Sequence, residues 1–141
     1  MKKITFMILA MTLLTNANVN AQSAQDCGVL YNLFKGDVQT KKYDQALPQL
    51  QELMKNCPTL SKNIYIYGDR MAMAMFDAAA DKKAASALVT QIYKTRLINF
   101  PKEDPAKVHS DYASFLADNN LASDDEIFAL LEKAYSIDPN R

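Results

Sequence analysis

Apolar residues recur along the chain at spacings of three and four, separated by short polar breaks, which is the pattern of amphipathic helices. Leu30, Leu33, Phe34 and Val38 form a first stripe, and Ala46, Leu47, Leu50, Leu53 and Met54 a second, with Lys41-Lys42-Tyr43 as the turn between them. Ile64, Tyr67, Met71, Met75 and Phe76 line a third helix; Ala84, Leu88, Ile92, Tyr93 and Leu97 line a fourth. The break near Ala80-Asp81 places Asp81 as a cap. Asp104 before Pro105 reads as an N-cap with proline in the first turn, opening a fifth helix with Val108, Tyr112, Phe115 and Leu116. Ser123 with Glu126 forms a capping box for a sixth, which is expected to bury Ile127, Leu130, Leu131 and Ala134. Pro48 fits the second helix only where that helix starts late, with Asp44 near its cap. No period-two alternation is long enough for a strand. The expected fold is all-α, three antiparallel helix hairpins spanning about 27–57, 61–99 and 104–138.

The first 21 residues read differently, as a signal peptide. Lys2 and Lys3 precede an apolar run from Ile4 to Leu14, and Val19-Asn20-Ala21 offers a small residue for cleavage after Ala21. The run is about half the ~20 residues of a spanning helix, so no permanent membrane anchor is expected. The competing reading of that run is a buried core helix. Residues 22–26 would then be a short linker and 27–141 the folded domain, in the periplasm or secreted. Ala24-Gln25-Asp26 before Cys27 lacks the small and aliphatic residues of a lipid-attachment site.

Composition narrows the function. Of 141 residues only three are Gly, about 2% against an average near 7%, which leaves little material for Gly-rich phosphate loops or dinucleotide fingerprints. Lys plus Arg equals Asp plus Glu, 16 each, so no nucleic-acid partner is expected. The charge is unevenly spread: residues 22–102 carry 11 basic and 7 acidic groups, a net of +4, while 103–141 carry 3 and 9, a net of −6. Such a bipolar chain can meet partners of opposite sign at its two ends, although ordinary surface scatter gives the same totals.

The sequence also repeats weakly. A shift of 81 positions superposes Tyr31 on Tyr112, Phe34 on Phe115, Asp37 on Asp118, Asp44 on Asp125, Leu50 on Leu131 and Pro58 on Pro139. The segment Tyr43-Asp44-Gln45-Ala46 through Leu50 and Leu53 to Pro58 resembles the second helix of a tetratricopeptide repeat. Ile64, Tyr67-Gly68 and Met71 resemble that family's first helix, and Leu131, Ala134 and Asp138-Pro139-Asn140 its closing segment. The resemblance covers residues 27–141 and looks most like exported tetratricopeptide proteins of Bacteroidota-type envelopes. The departures are a middle unit, Ser61 to Pro101, longer than the family's roughly 34 residues, Arg96 where the family prefers Ala, and Ile127 where it places a small residue.

The resemblance implies a short right-handed α-solenoid that binds a protein or peptide along a groove lined by the first helix of each hairpin. It assigns that groove to Asn32 and Lys35, to Lys62, Tyr65, Asp69 and Met73, and to His109 and Ala113. An exposed Tyr65 would anchor a peptide; the alternative is that it packs on the neighbouring hairpin. Phe128 and Tyr135 are expected to lack cover, as in the N-terminal part of a longer array or a form that self-associates through the open end.

Cys27 and Cys57 would meet at one pole of an antiparallel first hairpin and, in an oxidising compartment, form a disulfide; two independent thiols are the alternative. Candidates for catalysis fall away one by one. His109, the sole His, has no nucleophile signature beside it, and Asp69 and Asp77 are too isolated for an acid/base pair. Met71, Met73 and Met75 cannot converge on one metal, because at 100° per residue Met73 points away from the other two. Asp124-Asp125-Glu126 is what a helix N-terminus favours without any cation. No enzyme, cofactor or metal is expected. The leading reading is an envelope interaction scaffold; the alternative is an exported carrier or holdase whose Met- and Ala-rich third helix lines a cavity.

Overall fold

The computed structural model describes residues 17–140, with side chains from Asp26 onward. The described residues form six helices and no strand: α1 (Ala17–Gln39), α2 (Tyr43–Asn56), α3 (Asn63–Ala78), α4 (Lys82–Asn99), α5 (Pro105–Asp118) and α6 (Asp124–Ile137). Residues 1–16 of the expected signal peptide lie outside the described residues. Residues 22–26, expected as a linker, are helical, so Cys27 sits inside α1 rather than at its start.

The turns are built without glycine. Lys41 and Asn120 adopt left-handed backbone, with φ of 58° and 53°. Each closes its helix with the paired bonds of a Schellman motif: Lys42 N–H to Asp37 O and Lys41 N–H to Val38 O, then Leu121 N–H to Leu116 O and Asn120 N–H to Ala117 O. Asp81 caps α4, accepting from Ala84 N–H at 2.9 Å. Lys82 reaches back to donate to the last carbonyls of α3, Phe76 O at 2.7 Å and Asp77 O at 2.9 Å, where a cation meets the negative helix end. Ser123 and Glu126 form the reciprocal capping box of α6.

Two local expectations are corrected. Pro48 stands inside α2, five residues beyond its first residue Tyr43, so the bond to the Asp44 carbonyl is missing; the proline faces solvent, where water can take that carbonyl. Asp104 precedes α5 but makes no side-chain cap, because its backbone is left-handed at φ 54°.

The helices pair as α1/α2, α3/α4 and α5/α6. Antiparallel order follows from interactions on either side of each turn: hydrogen bonds of Asp37 with Gln49 and of Asp69 with Tyr93, and the charge of Lys133 acting on His109. The Cys27–Cys57 disulfide is present, with Cα atoms 6.0 Å apart, and closes a separation of 30 residues at the pole opposite the first turn. A shift of 81 lays α2 on α6 from end to end. The two left-handed caps are only 79 apart, because the third turn is two residues longer than the first.

α3 holds the stack together, packing on α4 and on both helices of the first hairpin. At Gly68 an added Cβ would lie 3.1 and 3.2 Å from the two Leu50 methyls and 3.5 Å from Ile92 Cδ1, so this glycine sets how closely α3 approaches α2 and α4. Aromatic pairs join the later hairpins. Phe76 meets Phe115 edge-on at 5.1 Å, and Tyr93 stacks on Tyr112 at 5.2 Å, whose hydroxyl donates to Thr90 Oγ1.

The core departs from the stripes at three positions. Leu33, Ala84 and Leu131 are exposed, and Val89 is wholly buried in place of Ala84. In α6 only Ala134 is buried, with Ile127 and Leu130 half-covered, since that helix is packed on one side alone.

Candidate functional site

The outer faces of α1, α3 and α5 were expected to carry recognition, and the structure divides the eight residues assigned to them. Asn32 is exposed. Lys35 is half-buried, with its ammonium 5.9 Å from the centre of the Tyr67 ring. Lys62 is exposed and paired with Glu103 in the loop before α5. Asp69 and Met73 are half-buried on α3.

Three residues are corrected. Tyr65 is 0% exposed: its ring meets Phe100 edge-on at 5.8 Å, and its hydroxyl donates to Pro58 O at 2.9 Å, tying α3 to the turn before it. Burial pushes its phenol up to about 12. His109, 6% exposed, and Ala113, 0% exposed, are likewise internal. The reason is common to all three. α3 and α5 each have neighbours on two sides, so their buried arcs are wider than a single apolar stripe marks.

Two clusters remain on this side. In the first, the Arg70 guanidinium lies 5.4 Å from the Tyr67 ring centre, so Tyr67 carries one cation from α1 and one from α3. Sequence periodicity placed Tyr67 in the core and gave no sign of this grouping.

The second cluster surrounds Asp69. Burial raises its carboxyl above the ordinary value; hydrogen bonding from Tyr93 offsets part of that rise, nearby Asp111 adds to it, and Arg96 and Lys107 oppose it. Tyr93 is pushed up in turn, by burial first and then by the negative charges of Asp69 and Asp111. Asp111 is itself paired with Lys107 at 2.7 Å. Asp69 Oδ1 and Arg96 Nε are both buried without a hydrogen-bond partner, one an acceptor and the other a donor. Gln49 Oε1 and His109 Nδ1 are buried without a partner in the same way.

The opposite side of the stack is apolar. A groove of about 400 Å³ runs between α2 and α4 over the end of α3, floored by Leu47, Met75, Ala85 and Leu88 with Gln51 and Gln91 at its rim. Met71 is in the core, and Met73 stands on the other side of α3 from Met71 and Met75, so the three do not converge. No cluster of His, Cys, Asp and Glu able to hold a metal occurs among the described residues, and none of their helices is long and apolar enough to cross a membrane. No protein-family model, curated protein or solved structure matches the chain.

Proposed function

We propose that this chain is a non-catalytic interaction scaffold of the cell envelope. Three tetratricopeptide-like hairpins stack as a short solenoid, and a protein or peptide segment lies across the outer side of α3 between α1 and α5. The observation that supports this reading is the grouping of charged and aromatic side chains around the outer side of α3, with Tyr67 beside Lys35 and Arg70 on one flank and Asp69 in the field of Arg96 and Lys107 on the other. Exposed Arg70 with half-buried Lys35 and Tyr67 would take a carboxylate or aromatic side chain of the peptide, and the half-buried Asp69 carboxyl adds an acidic group on the other flank. Of the residues first assigned to the groove, Asn32, Lys35, Lys62, Asp69 and Met73 stay in this role; Tyr65, His109 and Ala113 support it from within.

Export rests on Lys2-Lys3, the apolar run and Ala21, and the Cys27–Cys57 bond is compatible with an oxidising compartment. The second reading, a carrier of a hydrophobic ligand, is favoured by the α2–α4 groove. Affinity capture of the tagged chain, quantified for Asp69→Lys with Arg70→Glu and separately for Gln51→Glu with Leu88→Glu, separates the two. The scaffold reading expects the first pair alone to lose the captured protein. Loss with the second pair alone would remove the α3 face from the scaffold reading, and copurifying lipid lost with that pair, in place of any captured protein, would favour the carrier.

A further inference from the structure

The free side of α6 carries the largest exposed apolar residues of the described chain. Phe128 is 66% and Tyr135 61% exposed, with Leu131 between them at 44%. At 100° per residue these three share one stripe. Buried Ala134 with half-buried Ile127 and Leu130 marks the packed side of α6, and the stripe lies about a quarter-turn round the helix from it, open to solvent.

Its surroundings are acidic. Asp124 sits on the stripe, Asp125 and Glu132 flank it, and the one base on the helix, Lys133, turns the other way, toward buried His109. A second copy presenting the same face would bring these carboxylates together. Among the described residues the other exposed large apolar side chains are Val29 and Leu33 on α1, accompanied by Asp26, Asn32, Gln39 and Thr40, with Leu60 before α3, Ile98 on α4 and Ile137 at the end of α6. The α1 face therefore does not complement α6, Ile98 is the one large exposed apolar residue of α4 and forms no stripe to match it, and an anionic membrane surface would be repelled.

We infer that the exposed face of α6 is a docking surface for a cationic amphipathic helix of a partner protein, with apolar side chains set among Phe128, Leu131 and Tyr135 and Lys or Arg paired to Asp124, Asp125 and Glu132. Apolar anchors supply most of the affinity and the charges give orientation and encounter rate. This surface is independent of the α3 face proposed above.

The test titrates the full oxidised chain with a synthetic helical peptide of Leu and Lys in amphipathic register, and with its twin carrying Glu for Lys, by fluorescence anisotropy at low and at physiological salt. The Lys peptide is expected to bind and to weaken with salt, and the Glu peptide to show no binding. Phe128→Ser with Tyr135→Ser should cost at least about tenfold in affinity. Asp125→Asn with Glu132→Gln should cost several-fold and flatten the salt dependence. All four positions are exposed, so the fold is kept. Asp69→Lys should change nothing here, which separates failure of this surface from failure of the α3 reading. Equal binding of the two peptides, unchanged affinity in the Phe128/Tyr135 variant, or occupation of the face by concentration-dependent self-association would each overturn the inference.

Discussion

Substituting the chain's three glycines one at a time tests the packing that positions the α3 face. In a helix interior Gly→Ala is worth about 0.5 to 1 kcal/mol of stabilisation from backbone entropy alone. Gly28 and Gly36 have no atom within 4 Å of an added Cβ, so each should show that gain. Gly68 has the same propensity term and an opposing one. Its new methyl would stand 3.1 and 3.2 Å from both branches of Leu50, where carbon contacts prefer about 3.5 to 4.0 Å. Leu50 has no exposed surface into which to retreat, and a shift of α3 away from it closes the 3.5 Å approach to Ile92. Overpacking of this kind costs about 1 to 3 kcal/mol, so Gly68→Ala should be destabilising by about 1 kcal/mol after the propensity gain. The assay is urea unfolding of the oxidised variants followed by far-UV circular dichroism. In a Leu50→Ala background the Gly68→Ala penalty should vanish, because the blocking atoms are gone. If Gly68→Ala stabilises the chain as much as Gly36→Ala does, the close approach of α2, α3 and α4 is wrong and so is the framework beneath Asp69.

Three further outcomes follow from the same structure. Reducing the Cys27–Cys57 bond should cost about 3 to 4 kcal/mol in the chain-entropy account of a 30-residue loop, read as a lowered urea midpoint after thiol treatment that a Cys27→Ser/Cys57→Ser variant no longer shows. Burial, with Lys133 nearby, holds His109 below its ordinary value in the folded state, so the unfolded chain takes up the proton first as pH falls through about 6.5. Stability should therefore drop as pH falls through the ordinary histidine range near 6.5, and His109→Gln should flatten that slope as measured by thermal melts. Lys41→Gly should stabilise by about 1 kcal/mol in urea unfolding, since it relieves a left-handed residue in the first Schellman motif.

Much of the fold is legible in sequence because the signals are local. Asp81, and Ser123 with Glu126, mark helix starts by their own hydrogen bonds, and two cysteines 30 residues apart mark a hairpin whose ends meet. What periodicity does not specify is how many sides of a helix are covered. It identifies one apolar stripe, yet α3 is enclosed by α1, α2 and α4, which draws Tyr65 inside with its hydroxyl satisfied by Pro58. The same gap explains His109 and Ala113, internal between α5 and its neighbours, and Leu131, which has the right spacing but no helix opposite it. The recognition cluster was legible in part. Asp69 stood on the expected face, whereas its partners Tyr93, Arg96 and Lys107 come from α4 and α5, and only the folded chain brings them into one field.

The scaffold reading is tested most directly by placing a photo-crosslinking amino acid at position 73 on the outer side of α3 and, in a parallel chain, at position 51 in the α2–α4 groove, then irradiating living cells. The account predicts one or two discrete protein adducts from position 73, abolished by Asp69→Lys, and none from position 51. Adducts from position 51 alone, or adducts from position 73 that persist in Asp69→Lys, would contradict it.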